Sequence, residues 1–151
     1  ESEFVPQRSD PQNGEFFFNN IPYGQQYLLS FSKRGYTISQ NEIAGDATEN
    51  LRLNLTASVA RYVVSGIVLV NGSPLAGVRL TDRELGTTVS DAAGRFSFNT
   101  AKYNTRYQVT ASKAGYRFRQ ATKGGVLRED VALQFTASGS KQGSFRVARR
   151  R

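Results

Sequence analysis

The residue types that could do chemistry on this chain are few. Its 151 residues include no histidine, cysteine, methionine or tryptophan. That removes imidazole and thiolate metal ligands, disulfides, the commonest general base and every Ser-His or Cys-His nucleophile. Carboxylates, hydroxyls and a surplus of positive charge remain. Asp10, Glu42, Asp46 and Glu49 are the carboxylates a glycosidase would draw on, but they fall on loops with no fixed spacing and do not compose an acid/base pair. Asp91 sits in an Asp-Ala-Ala-Gly turn, where it reads as an Asx cap of a hairpin rather than as a calcium ligand. Asn54-Leu55-Thr56 and Asn71-Gly72-Ser73 match the N-glycosylation acceptor pattern, with Asn54 expected to face outward. Tyr23, Tyr27, Tyr103 and Tyr107 have the chemistry to stack on sugar rings, yet their equivalent spacing argues for packing with the hydroxyls at the rim. No catalytic site, cofactor or metal is expected.

Charge is the remaining candidate. Residues 1–58 hold four basic and seven acidic side chains, residues 59–138 hold eleven and five, and the tail from Gly139 adds five more positives. The segments therefore net −3, +6 and +5, which sum to the formal +8. A basic second half attracts anionic partners, and opposite signs favour head-to-tail contact between copies. Arg79, Arg95, Lys113, Arg117, Arg119 and Lys123 are the candidate face for an anionic glycan. Nucleic acid is not expected, because the aromatic residues alternate into the expected core and leave no stacking platform.

What positions these residues is a repeat. Sliding the chain by eighty residues lays Glu1–Ser58 on Thr81–Ser138 without a gap, with 17 identities in 58 pairs. Chance gives roughly four at this composition. Asn13-Gly14-Glu15-Phe16-Phe17-Phe18-Asn19 answers Ala93-Gly94-Arg95-Phe96-Ser97-Phe98-Asn99, Tyr23 and Tyr27 answer Tyr103 and Tyr107, Ser32-Lys33-Arg34-Gly35-Tyr36 answers Ser112-Lys113-Ala114-Gly115-Tyr116, and Thr56-Ala57-Ser58 answers Thr136-Ala137-Ser138. The first repeat has no counterpart of Arg61–Leu80. The expected organisation is an incomplete first repeat over 1–58, a complete second repeat over 59–138 and a basic tail over 139–151. A chain of this length and 38% hydrophobic content can bury one ordinary core or two small ones.

Within the complete repeat the hydrophobic period is two throughout. Val63–Val70 is a β-branched run closed by Asn71-Gly72-Ser73-Pro74, so Leu75–Thr81 is expected to return antiparallel with Val78 and Leu80 inward. Thr87-Thr88-Val89 is a third short strand, and Phe96 and Phe98 face inward on a fourth. Tyr107, Val109 and Ala111 face one way on the next, and Val131, Leu133 and Phe135 face inward on the last, where Leu51, Leu53 and Leu55 match them in the first repeat. About seven short strands separated by Gly, Pro, Asn and Asp turns make a β-sandwich.

Ser65-Gly66, Pro74-Leu75-Ala76-Gly77-Val78, Ser90-Asp91-Ala92-Ala93-Gly94-Arg95-Phe96 and Tyr107 through Gly115-Tyr116 together resemble the carboxypeptidase regulatory-like and Cna-B-like modules. The resemblance covers all but the last thirteen residues. It implies an all-β chain of two tandem Ig-like, transthyretin-like Greek-key sandwiches, the first lacking its N-terminal strands. Some Cna-B-like domains join a Lys on the first strand to an Asn or Asp on the last by an isopeptide bond. The second repeat departs from that pattern, with Arg61 and no Lys on its first strand and neither Asn nor Asp in 131–138; the first repeat has Asn50 and Asn54 on its closing segment.

Modules of this kind serve as stalks, spacers, adhesin domains and appendages to enzymes, so the fold by itself leaves function open. The expected role is a structural extracellular or cell-surface repeat, bacterial in origin, partnered by neighbouring repeats or identical copies head to tail. Binding of an anionic polysaccharide and service as an accessory domain of a secreted enzyme are the alternatives. The missing strands of the first repeat are expected from upstream residues of a longer chain; alternatively the tail segment Ser144, Phe145, Arg146, Val147, Ala148 and Arg149, which alternates like a strand, completes the first repeat of another copy, a contact that builds a filament. Glu1-Ser2-Glu3-Phe4 does not read as a signal peptide, no segment has the length and apolarity of a membrane span, and the chain reads as a mature or excised piece.

Overall fold

The computed structural model describes residues 6–139. Among them there is no helix, and fifteen strands carry the structure. The chain divides into two compact units, drawn from Glu1–Lys33 with Ile38–Ala57 and from Arg34–Thr37 with Ser58–Arg151.

The second unit contains β5 (Arg61–Tyr62), β6 (Val64–Val70), β7 (Ser73–Pro74), β8 (Arg79–Asp82), β9 (Gly86–Val89) and β10 (Arg95–Ser97). Five more follow: β11 (Ala101–Lys102), β12 (Arg106–Ser112), β13 (Tyr116–Phe118), β14 (Thr122–Val126) and β15 (Val131–Gly139). One sheet runs β10-β6-β15-β13 with β7 hydrogen-bonded to β6, the other runs β14-β12-β8-β9, and β5 pairs β11 separately. The alternation expected from sequence places their inner faces together. Val64, Val68, Phe96, Phe135 and Ala137 from the first sheet and Leu80, Val109 and Ala111 from the second belong to one buried cluster, joined by Val78, Phe98 and Leu127. Ring centroids of Phe96 lie 6.2 Å from Phe98 and 6.0 Å from Phe135, tilted or edge-on, the arrangement aromatic quadrupoles favour.

Strand β6 is the hub. It pairs antiparallel with β10 and parallel with β15, in a register that sets Val68 beside Phe135 and Leu133 beside Gly66. Gly66 is required there. Its direct partner is Phe96, and a Cβ would lie 2.8 Å from the Phe96 ring and overlap the Leu133 carbonyl. The Ser-Gly at this place in the sequence is thus the point where an aromatic ring and a neighbouring strand close over the backbone.

The hairpin after β6 is tighter than expected. Asn71 and Gly72 take φ of 49° and 82°, the two positive values of a primed two-residue turn, and β7 returns for only Ser73 and Pro74. The chain then leaves the sheet, and β8 joins the opposite sheet between β12 and β9. The antiparallel return expected for Leu75–Thr81 is therefore corrected. Leu75 N–H still donates to Val68 O of β6 at 2.9 Å, and two residues on, Gly77 at φ 69° bends the backbone across the sandwich. Val78 and Leu80 nevertheless face inward and are fully buried.

The first unit holds β1 (Gln26–Ser30) and β3 (Glu42–Asp46), while β2 (Tyr36–Ile38) pairs β4 (Ala57–Val59) where the chain passes between the units. The eighty-residue period reappears in its hydrogen bonds. Gln26↔Asp46 through Ser30↔Glu42 matches Arg106↔Val126 through Thr110↔Thr122 pair for pair. In both ladders a tyrosine lies over the opposite glycine: a Cβ on Gly45 would meet the Tyr27 hydroxyl at 2.7 Å, and one on Gly125 the Tyr107 hydroxyl at 2.7 Å.

Residues 15–17 and 51–56, the counterparts of β10 and most of β15, form no strand. The expectation that Leu51, Leu53 and Leu55 continue a closing strand is corrected here: Leu51 is 51% exposed and Leu53 and Leu55 are half-buried in irregular chain. The physical reason lies in the second unit, where β10 and β15 both hydrogen-bond to β6. Strands that pair with each other survive in the first unit. Those that need β6 have no ladder.

Candidate functional site

Six basic residues were the candidate face, and the backbone assigns them to different surfaces. Arg79 alternates with fully buried Leu80, so it stands on the outer face of the β14-β12-β8-β9 sheet. Arg95 and Arg117 alternate with core residues of the other sheet, on its two edge strands. Three strand spacings and four residues of register separate them, about 19 Å. Arg119 is exposed just beyond β13, its N–H donating to Thr136 O at 3.0 Å.

Lys113 and Lys123 are committed to their own unit. The Lys113 ammonium donates to Ala76 O at 2.8 Å and lies 5.8 Å from the centre of the Tyr116 ring. Lys123 is the direct partner of fully buried Val109, which turns it to the core side, and its ammonium lies 5.9 Å from the centre of the Phe135 ring. A charge pointing inward from an edge strand keeps that edge from pairing with another sheet.

The structure does bring Arg79 and Lys113 together. With Gly77, Ser112, Tyr116 and Phe118 they line an open groove of about 710 Å³ at the β12–β13 turn. Tyr116 gives it an aromatic wall, and Arg79 and Lys113 give it positive charge. Sequence reasoning took Tyr116 only as a matched repeat position; the Lys-x-Gly-Tyr spacing, which folds the lysine back over the ring, was the available signal.

The carboxylates are occupied or apart. Asp91 Oδ1 accepts from Ala93 N at 2.9 Å and Arg95 N at 2.8 Å, the Asx cap expected of it. Asp10 Oδ1 accepts from Gln12 N at 2.7 Å in a similar turn. Glu42 and Asp46 lie on one face of β3, four residues or about 13 Å apart along the strand, beyond the spacing of either class of glycosidase pair. Asp82 holds the β8–β9 turn through Glu84 N and Leu85 N, both at 2.7 Å, and also accepts from Gln108 N. Among the described residues no three His, Cys, Asp or Glu side chains gather as a metal site. Asn54 and Asn71 are exposed. Of the four tyrosines, Tyr27 and Tyr107 cover glycines, Tyr103 lies 6.5 Å from Tyr62, and Tyr23 is 84% exposed. The tail strand Ser144–Arg149 lies outside the described residues.

The chain is similar to part of a chitinase. It is 31% identical over 128 residues to Chitinase ChiA of Flavobacterium johnsoniae, a match covering 82% of this chain and 8% of that protein. The chain thus spans a small fraction of the curated relative it matches. No protein-family model matches it. Among solved structures, GBS52, the minor pilin of Streptococcus agalactiae, aligns with 81% of this chain and 63% of its own at 14% identity and a TM-score of 0.44. A streptococcal ancillary pilin aligns with 82% of this chain and 49% of its own at 16% identity and a TM-score of 0.41.

Proposed function

We propose that this chain is a non-catalytic structural repeat of a longer extracellular or cell-surface protein, a spacer whose sandwich units hold other parts of that protein apart. The observation that supports this most is the recurrence of one ladder register at a fixed eighty-residue offset, down to the tyrosine over its glycine. Repetition of a hydrogen-bonding plan keeps a shape, and it persists here although the two repeats differ at most of their aligned positions. Likeness to a carboxypeptidase regulatory-like or Cna-B-like module agrees with such a role.

A second reading is favoured by the match to Chitinase ChiA: an accessory module of a secreted polysaccharide-degrading enzyme. The two separate in one experiment. The isolated chain is incubated with chitin and, separately, with an anionic polysaccharide gel over a range of salt, and both sedimented protein and released sugar are measured. The spacer reading expects no turnover and no retention on either polymer. Retention on chitin overturns it in favour of the accessory module. Retention that falls steeply with salt marks the basic residues as a binding face instead.

A further inference from the structure

Asn13-Gly14 and Asn71-Gly72 are the two Asn-Gly steps of the sequence. An asparagine followed by glycine can react with its own backbone, because no side chain on the next residue shields the amide nitrogen. That nitrogen loses its proton to base and attacks Cγ of the asparagine; the new C–N bond closes a succinimide as the Cγ–Nδ2 bond breaks and ammonia leaves. Water then opens the ring, at Cγ to give aspartate or at the main-chain carbonyl to give isoaspartate. The reaction needs a backbone N–H and a side-chain amide that are both released from other partners.

Both steps are exposed, so access to water does not separate them. Their hydrogen bonds do. At the first step the nucleophile is engaged, since Gly14 N–H donates to Asp10 O at 2.9 Å. The Asn13 amide is held at both ends, Nδ2 donating to Glu15 Oε2 and Oδ1 accepting from Glu15 N, each at 2.9 Å. Asp10 Oδ1 fixes the same turn by accepting from Asn13 N at 3.1 Å. At the second step the ladder closes on Val70 and Ser73, outside the pair. Among the described residues Gly72 N–H has no acceptor and the Asn71 amide no partner. A Cβ built on Gly72 meets nothing within 4 Å, so the space beside the reacting nitrogen is open to solvent.

We propose that Asn71 is a site of spontaneous covalent modification, converting to aspartate and isoaspartate in the folded chain while Asn13 is protected by its turn. The inference is independent of the role assigned to the repeat. Releasing the hydrogen bonds at Asn13 slows that step about tenfold relative to Asn71. Either product adds a negative charge and takes the formal net charge from +8 to +7. Isoaspartate also inserts a methylene into the main chain of a two-residue turn whose φ values of 49° and 82° suit the Val70↔Ser73 register. β7 then loses its pairing with β6, and the Ser73 amide becomes free to exchange.

The test is incubation of the intact chain in mildly alkaline buffer, with and without concentrated urea, followed by peptide mapping. Mass spectrometry reads the exchange of amide NH2 for OH at each asparagine, and chromatographic retention separates aspartate from isoaspartate. In the folded chain Asn71 is expected to convert about ten times faster than Asn13, and in urea, which removes the turn hydrogen bonds, the ratio is expected to collapse toward one. A folded-state ratio below about three, or a ratio that urea leaves unchanged, overturns the proposal, the latter because the difference would then belong to the neighbouring residues and not to the fold. Hydrogen exchange of the isolated isoaspartate form checks the consequence: faster exchange at Ser73 is expected, and unchanged exchange there overturns the loss of β7.

Discussion

Phe16 and Phe96 are the same residue at the same place in the repeat, so truncating each to alanine isolates the effect of surroundings from that of chemistry. Phe96 is 5% exposed, touches Phe98 and Phe135 through ring faces and edges, and closes over Gly66. Core Phe→Ala substitutions cost about 3–5 kcal/mol, through lost transfer energy and the cavity left behind. A domain of this size has a total stability of about 5–10 kcal/mol, so Phe96→Ala should remove roughly half of it. At about 4–8 °C per kcal/mol, its transition should fall by ~15–30 °C. Phe16 is half-buried and, among the described residues, its ring meets Phe18 and Phe31, at 6.2 and 5.5 Å. Its truncation forfeits a smaller buried area, about 1–2 kcal/mol. Calorimetry of the two variants in the full chain, with near-ultraviolet circular dichroism as a second probe, reads both numbers. Equal shifts for the two variants, or a fall of less than about 5 °C for Phe96→Ala, would refute the claim that β6 completes a core in one unit and not the other.

Three further substitutions test separate parts of the structure. Gly66→Ala drives a methyl into the Leu133 carbonyl, a backbone group that cannot swing away, and should cost more than about 3 kcal/mol by urea unfolding, far above the ~1 kcal/mol of an ordinary strand substitution. Ser90 is 4% exposed and its hydroxyl accepts from Val78 N at 2.9 Å while donating to Leu75 O at 2.7 Å; Ser90→Ala strands both backbone groups and should destabilise by about 2–3 kcal/mol in the same assay. Lys123→Ile, which installs the residue found at the equivalent Ile43, removes the inward charge from the β14 edge. Size-exclusion chromatography should then show oligomers that the wild-type chain lacks at equal concentration, and an unchanged elution volume would mean the lysine does not guard that edge.

Side-chain direction was legible in the sequence wherever alternation was regular. Val109 and Ala111, Phe96 and Phe98, and Phe135 all point to the core as their spacing requires. The Asp91 cap followed from turn chemistry. Strand partnership was not legible, because a period of two says which way a side chain faces and nothing about the neighbouring strand. The parallel β6–β15 pairing and the crossing of β8 to the opposite sheet come from that gap. Leu51–Leu55 shows the same limit: the alternation is present, but a strand exists only where a ladder is available to it. The six basic residues share a charge and a repeat, which does not fix a shared face. Their distribution over both sheets, with Lys123 turned inward by its pairing with Val109, depends on a register that no local pattern encodes.

Tyr103 packs over Gly35, which places a turn of the first sequence repeat in the second compact unit. Its Gly-Tyr dipeptide recurs at Gly115-Tyr116 with the same backbone conformation, so repeat boundaries drawn from sequence identity and boundaries drawn from packing differ by this one segment.

Hydrogen exchange of the intact chain tests the central claim, that one repeated sandwich plan is completed by β6 in the second unit and left without that strand in the first. The amides of 131–136, held in the ladder with β6, should exchange about a thousandfold more slowly than those of 51–56, which occupy the same repeat positions. Comparable protection of the two segments would contradict it, since it would require a hydrogen-bonded ladder at 51–56, where the chain is irregular.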